Sequence, residues 1–405
     1  MKVLQVHNRP RGGGGATAVF EHTVRLLRER GVETVLLTCD SARIGAGLRG
    51  RLRAFAAGIY SPGARRHAAN IIARARPDCV HVHDLQPFLP STLLACRDAG
   101  LPVVMTCHNY RLTCPVFSHV DGRGEPCERC LGGREYWCLL MNCRGDRLES
   151  AAFALHNLAA RRLRLFSAGV DLFLVPSRFV KAHLARAGFS AESIEVLPHP
   201  LPIAETSRDA PAGEYLAYAG RLSPEKGLGT LLAAAALTPG IPIVIAGDGP
   251  LLPDLTARAT PNVRFLGWLD PAALRDFYGR ARAVVVPSRC CETFGVAAAE
   301  AMNLGIPVIA SRIGALAEMI SDGVSGLLFE PGDHRDLAKH MEALWTDRAL
   351  GLRLGREARN QVRQLCDEGR YVERLLGFYG RAMREKAGLQ DRLGSAAQVA
   401  GETGP

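Results

Sequence analysis

Short apolar runs alternate with helix-length stretches along the whole chain, a pattern that predicts repeated strand–helix–strand units rather than a sandwich or a helical bundle. In the first half the runs fall at Val3–Val6, Val35–Thr38, Val80–Val82, Val103–Thr106 and Leu172–Val175, with a helix from Thr17 to Arg30 behind the first glycine run. In the second half they fall at Leu216–Ala219, Ile243–Ala246, Val263–Leu266, Ala283–Val286, Val308–Ala310 and Leu327–Phe329. Between the halves stand Pro198, Pro200 and Pro202, a spacing that neither a helix interior nor a central strand accepts, so a hinge is placed there. The expected division is an N-terminal domain over 1–200, a C-terminal domain over 201–375, and a closing helix with a loose tail over 376–405. Two α/β domains facing each other leave a cleft, and in open α/β sheets ligands sit beyond the carboxyl ends of the strands.

Composition narrows the class. With 405 residues, 47 % of them apolar and 22 % charged, the chain can bury two sizeable cores and is not broadly disordered. No apolar run approaches the ~18–20 residues that span a bilayer, so the expected location is the cytoplasm. The net charge of +10 points to anionic partners. From Ser41 to Arg76 lie eight arginines and no acid, interleaved with Ile44, Leu48, Leu52, Phe55 and Ile59, which suits either an anionic membrane surface or a solvated basic face. Of twelve cysteines, six fall between Cys107 and Cys143. In a reducing compartment such a cluster points to metal ligation before disulfides.

The loops after the second-half strands carry the chemistry. Arg221 and Lys226 follow Leu216–Ala219 and could neutralise a diphosphate, one as a planar fork and the other as a point charge. Gly247 and Gly249 flank Asp248 after the next strand. Further on, Glu292 precedes a helix ending near Asn303, and the amides of Phe294, Gly295 and Val296 are free to meet phosphate or sugar oxygens. Glu300 follows Glu292 by eight positions, or ~12 Å along a helix axis, which suits opposite ends of one elongated ligand and not an adjacent acid/base pair. Taken singly, the cations read as a solvated turn and the glutamates as a charged helix face.

Taken together and in this order, the segment from Gly220 to Gly332, with Glu300 to Val308 and Asp322 to Gly326 inside it, resembles the C-terminal half of the GT-B glycosyltransferases. Within that fold it is most similar to retaining family 4, with its paired glutamates. The resemblance implies two Rossmann-like domains facing across a cleft. Arg221 and Lys226 would hold the diphosphate of a nucleotide-sugar donor, Glu292 the hydroxyls of the transferred sugar, and Glu300 the ribose. The sequence departs from the family pattern at Cys290 and Cys291 before Glu292, and at Pro198, His199 and Pro200, where relatives carry Asn-Gly.

In the first half, Gly13-x-Gly15-x-x-Ala18 satisfies a dinucleotide fingerprint and Asp40 stands where a ribose-binding acid would. That favours a nicotinamide-dependent oxidoreductase, a reading that leaves the second half unexplained. By resemblance, Gly14 and Gly15 instead approach the donor phosphates and the acceptor, and His108, at the end of Val103–Thr106, faces the sugar. In retaining enzymes of this type the leaving phosphate is thought to take the acceptor proton, so the protein supplies positioning and charge stabilisation. Residues 107–145 resemble a cysteine-bearing insertion found in part of the family. The Cys127-x-x-Cys130 spacing, with Cys114 and either Cys138 or Cys143, could hold a structural zinc, or these could be free thiols in a loop that faces the acceptor. No cofactor is expected for transfer itself. The expected activity is hexosyl transfer from a nucleotide diphosphate sugar to a saccharide or lipid-linked acceptor in surface polysaccharide or glycolipid synthesis, with no nucleic-acid partner. A nucleotide-sugar 2-epimerase of the same fold is the alternative.

Overall fold

The computed structural model describes residues 1–9, 14–40, 55, 60–84, 89–202 and 213–402. Gly13 of the dinucleotide fingerprint and most of the arginine-rich stretch after Ser41 lie outside these residues.

Among the described residues, twelve strands form two parallel sheets. The first holds β1 (Lys2–Arg9), β2 (Glu33–Asp40), β3 (Cys79–Val82), β4 (Val103–Thr106), β5 (Leu172–Val175) and β6 (Ile194–Val196), in the order β2-β1-β3-β4-β5-β6. The second holds β7 (Tyr215–Ala219), β8 (Ile243–Ala246), β9 (Val263–Gly267), β10 (Ala281–Val286), β11 (Val308–Ser311) and β12 (Leu327–Phe329), in the order β12-β11-β10-β7-β8-β9. Their central strands are buried on both faces, which is why they appear in the sequence as unbroken apolar runs. Each of the eleven anticipated strands is present, several extended by a residue or more. β6 was not anticipated, because Ile194-Glu195-Val196 is too short and too polar to stand out.

The chain order reverses between β7 and β10, which are neighbours in the second sheet. At such a switch point the loops leaving two adjacent strands diverge and open a crevice. The loops bearing Lys226 and Glu292 are the ones that leave these two strands.

The domain division differs from expectation at its C-terminal end. One helix runs from Glu368 to Glu402, so the segment read as a loose tail is helical as far as Glu402. Tyr371, Val372, Leu375, Tyr379 and Ala382 on this helix pack with Val3, Leu27, Val104 and Leu174 of the first sheet. A boundary at residue 375 therefore cuts through a helix that belongs with the N-terminal domain. Spacing along the chain shows that this stripe is buried but not what it is buried against. The connection is crossed twice side by side, the Leu201 amide of the proline linker donating to the Cys366 carbonyl at 3.2 Å.

Candidate active site

The donor-side wall is assembled at backbone level by glycines. A Cβ on Gly247 would stand 1.9 Å from the Gly220 carbonyl oxygen, and one on Gly249 would stand 2.4 Å from that of Leu222, so the β8 loop lies directly on the β7 loop. A Cβ on Gly227 would meet the Pro287 carbonyl oxygen at 1.8 Å, and the Arg289 amide donates to the Glu225 carbonyl at 2.9 Å, so the β10 loop lies on the other side. No side chain longer than hydrogen fits at these contacts.

Into this wall project Lys226 and Glu292. Lys226 Nζ donates to Glu292 Oε1 at 2.7 Å, and Ser288 Oγ donates to the same oxygen at 2.6 Å. Burial opposes ionisation of Glu292 more than any other single influence. The charge and hydrogen bond of Lys226, with the Ser288 hydroxyl, nevertheless hold its carboxyl below the ordinary range. Burial likewise works against the Lys226 ammonium more than any other single influence, but the charge and hydrogen bond of Glu292, with Cys290 and Tyr218, together outweigh it and raise its pKa. Both groups are thus ionised at neutral pH. Arg221 is exposed on the same loop, and its guanidinium makes no hydrogen bond or ion pair with the described residues. The Tyr218 hydroxyl fixes that loop by donating to the Arg221 carbonyl at 2.9 Å.

The helix Val296–Asn303 begins at Gly295, whose φ of 89° requires a left-handed backbone that favours glycine. No side chain caps this helix start, which leaves its first amides available to a ligand. Glu300 lies further along the same helix, and burial pushes its carboxyl up to about 7. Tyr278, wholly buried, carries a hydroxyl with no hydrogen-bond partner among the described residues, and the charge of nearby Glu300 adds to the upward push that burial gives its phenol.

The N-terminal wall closes against this one. Gly15 opens the helix Gly15–Glu29, preceded by Gly14, and a Cβ on Gly15 would lie 3.4 Å from Val296 Cγ2. Thr293 Oγ1 donates to the His108 carbonyl at 3.0 Å, which seats His108 beside the loop of Glu292. The buried His199 ring lies between the rings of His108, at 5.1 Å, and Phe294, at 5.0 Å. Burial lowers the pKa of His108 to about 4, with Asp84 opposing and His7 reinforcing that shift. Glu318 of the C-terminal domain accepts from the amides of Arg178 and Phe179, both at 3.0 Å, capping the helix Arg178–Arg186 across the cleft.

Lys226 and Glu292 thus pair directly, the loop of Gly247 and Gly249 lies on the loop of Arg221, and Gly15 and His108 meet Val296 and Thr293 from the N-terminal side. Sequence reasoning passed over Ser288, Thr293, His199 and Tyr278, which orient the recognised residues or sit among them. The alternation of His81 on β3 and His83 just beyond it was a further unused signal.

The cysteine insertion is brought together differently. Burial first, then the neighbouring sulfurs of Cys114, Cys143 and Cys127, push the Cys130 thiol up to about 12. Cys138 hydrogen-bonds Cys143 and thereby lowers the Cys143 pKa. Among the described residues no group of three or more His, Cys, Asp or Glu side chains is arranged to hold a metal ion. Cys114, Cys127 and Cys143 of the anticipated set stand near Cys130, with Cys138, the alternative fourth member, bonded to Cys143. The insertion also touches the donor wall, Arg289 Nη2 pairing with Glu125 Oε2 at 2.7 Å.

Two family profiles divide the chain between them: Glycosyltransferase Family 4 matches residues 13–205, and Glycosyl transferases group 1 matches residues 205–361. The chain belongs to glycosyltransferase family 4. This family 4 chain is 28 % identical over 363 residues to the sulfoquinovosyl transferase of Arabidopsis thaliana, an alignment covering 85 % of the chain and 66 % of that relative. It is 29 % identical to a glycogen synthase of Mycobacterium tuberculosis, over 78 % of the chain and 72 % of the relative. Its GT-B fold is shared with Anabaena HepE, solved in complex with UDP and glucose, at a TM-score of 0.68 and 19 % identity, covering 94 % of this chain and 100 % of that one.

Proposed function

We propose that this family 4 enzyme transfers a hexosyl group, with retention, from a nucleoside diphosphate sugar to a hydroxyl of a saccharide or lipid-linked acceptor, in the synthesis of a surface polysaccharide or glycolipid. The observation that carries the reading is the Lys226–Glu292 pair, 2.7 Å apart beside an uncapped helix start. A cation and free amides meet the requirement of a departing diphosphate, which gains negative charge as the glycosidic bond breaks. Lys226 and Arg221 would take up that charge, with the amides of Phe294, Gly295 and Val296 on the phosphate oxygens. Gly247 and Gly249 let the β8 loop close on the nucleotide, while Gly14 and Gly15 bring the opposite backbone near it. Glu292 would bind hydroxyls of the transferred sugar, and Glu300 the ribose. His108 would contact the sugar from the other wall. The acceptor proton would pass to the leaving phosphate on the same face, and cleft closure would keep water from competing.

For the acceptor we propose a cavity of about 290 Å³ at the carboxyl ends of β1 and β2, lined by His7, Asn8, Thr38, His67, Asp84 and Thr92 among others. Such a mixed polar and apolar lining suits a polyhydroxyl ring. A lipid-linked acceptor would bring the enzyme to an anionic membrane surface. Leu140, Leu148 and Leu163 are exposed at 65, 83 and 62 %, in a segment that also carries Arg144, Arg147 and Arg162, which supports such a contact. Among the described residues no helix is long and apolar enough to cross a membrane.

The test is a panel of nucleotide sugars, read by released nucleoside diphosphate and by the anomeric configuration of the product, with and without acceptor and with and without anionic vesicles. One donor should turn over with retention and only with acceptor present, faster on vesicles. Conversion of the donor without acceptor would instead indicate the epimerase, and an inverted product would overturn the retaining assignment.

A further inference from the structure

Behind His108 the structure holds a chain of side chains that the transfer reaction as described above does not use. Tyr379, on the helix Glu368–Glu402, is buried against the first sheet. Its hydroxyl meets His81 Nδ1 at 2.7 Å and accepts from Gln5 Nε2 at 3.3 Å. The other end of the same amide, Gln5 Oε1, faces His83 Nε2 at 3.2 Å, and His83 Nδ1 faces His108 Nε2 at 3.1 Å. Gln5 and His83 are also fully or almost fully buried.

The order of donors and acceptors along this chain fixes its protons. An amide oxygen can only accept, so His83 carries its proton on Nε2 and donates it to Gln5. Burial, assisted by the neighbouring histidines, holds His83 neutral, and its Nδ1 is then a bare lone pair. A lone pair on His83 requires a proton on the nitrogen opposite, so His108 donates from Nε2. Its remaining nitrogen, Nδ1, is an acceptor. That atom is buried and has no hydrogen-bond partner among the described residues, although the carbonyl of the same residue is bonded to Thr293 on the donor wall. A buried imidazole nitrogen left unpaired is costly unless a ligand completes it.

We propose that Tyr379, Gln5 and His83 are positioning residues that hold His108 in its Nε2–H tautomer, so that Nδ1 receives a hydrogen bond from a hydroxyl of the bound sugar. The proposal rests on the sugar-transfer reading for the identity of the ligand, but the tautomer belongs to the free protein. Through this chain, the helix that returns from the second domain sets the hydrogen-bonding polarity of the cleft. The opposite tautomer would present an N–H to the ligand and reverse which sugar oxygens and hydroxyls the site accepts.

Nitrogen NMR of histidine-labelled, ligand-free protein tests the first half. His108 should show a protonated Nε2 and an unprotonated Nδ1, and Tyr379→Phe, which keeps the ring and its packing, should mix the two tautomers. Kinetics test the second half. Asn places its side-chain oxygen where His Nδ1 stood, whereas Gln reaches only the Nε2 position. His83→Asn should therefore retain turnover within about threefold, while His83→Gln and Gln5→Leu lose about three- to tenfold in kcat, as for one hydrogen bond. Affinity for UDP should be unchanged in all of them, because the diphosphate is held by the other wall. A protonated Nδ1 on His108 in the wild-type chain, or equal turnover in His83→Asn and His83→Gln, would overturn the proposal. A chain with the expected tautomer that transfers no sugar from any donor would instead overturn the proposed function.

Discussion

The two walls of the cleft differ in their electrostatics. The C-terminal wall is charged: Lys226 and Glu292 are both ionised, and each is sustained by the other in a partly buried setting. The N-terminal wall meets it with neutral imidazoles: His83, His108 and His199 are all pushed below the ordinary histidine range, chiefly by burial. A departing diphosphate demands fixed positive charge, whereas sugar hydroxyls are sorted by the direction of hydrogen bonds. Charge is strengthened by a low local dielectric, and directional neutral bonds are kept unambiguous by it, so both walls gain from the same closure.

Three experiments would break or sharpen this contrast. The largest effect is expected on the charged wall. Lys226→Ala leaves Glu292 without its cation and the diphosphate without its counter-charge, and should lower kcat by about 100- to 1,000-fold with the fold intact. Released nucleoside diphosphate measures this, and a loss under tenfold would remove Lys226 from the chemistry.

Glu300 offers a test by pH. Its carboxyl titrates at about 7 because burial disfavours the charged form. A folded pKa raised above the unfolded one stabilises the fold at low pH, and that contribution is lost as pH rises through 7. Under the proposed ribose contact, donor binding should run the other way, because only the carboxylate accepts two ribose hydroxyls. Affinity for the nucleoside diphosphate released by the active donor, measured by titration calorimetry, should weaken by up to about tenfold per pH unit below 7, and Glu300→Gln should flatten the profile. A flat wild-type profile would separate Glu300 from the nucleotide.

The smallest effect concerns the contact between the walls. Glu318→Ala removes the carboxylate that caps the helix Arg178–Arg186 from the opposite domain. Loss of such a cap costs about 1 kcal/mol, so the donor KM should rise several-fold while kcat at saturation holds. Small-angle scattering should show a larger radius of gyration; an unchanged radius and KM would show that closure does not depend on this cap.

Legibility followed the same division. Arg221, Lys226 and Glu292 stand in strand-end loops and Glu300 on the helix that follows, at fixed spacings, and their residue types state their chemistry, so the charged wall could be read along the chain. Ser288 and Thr293 lay within the recognised segment, but which group a hydroxyl serves depends on a neighbour the spacing does not name. The neutral wall was mostly hidden. His108 stood out only by resemblance, while Gln5, His83 and Tyr379 come from positions as far apart as 374 residues. The cysteines show the converse. Their spacing names candidate ligands, and the fold sets Cys114, Cys127 and Cys143 near Cys130, but the bond between Cys138 and Cys143 is a pairing that spacing does not record.

What the sequence determined by itself was the inventory: twice-repeated parallel α/β units, a proline linker between them, and the positions of the charged side chains, all set by local periodicity and by strand-end loops. What tertiary structure alone decided was the closure: the last helix crossing back to the first sheet, glycines laying three loops on one another, and a line of hydrogen bonds from Tyr379 to His108. Local patterning records which face of an element is buried and which loop holds a charge. It does not record the partner across the interface, because burial is satisfied by any well-packed apolar neighbour, whereas the direction of a buried hydrogen bond depends on the one group that meets it.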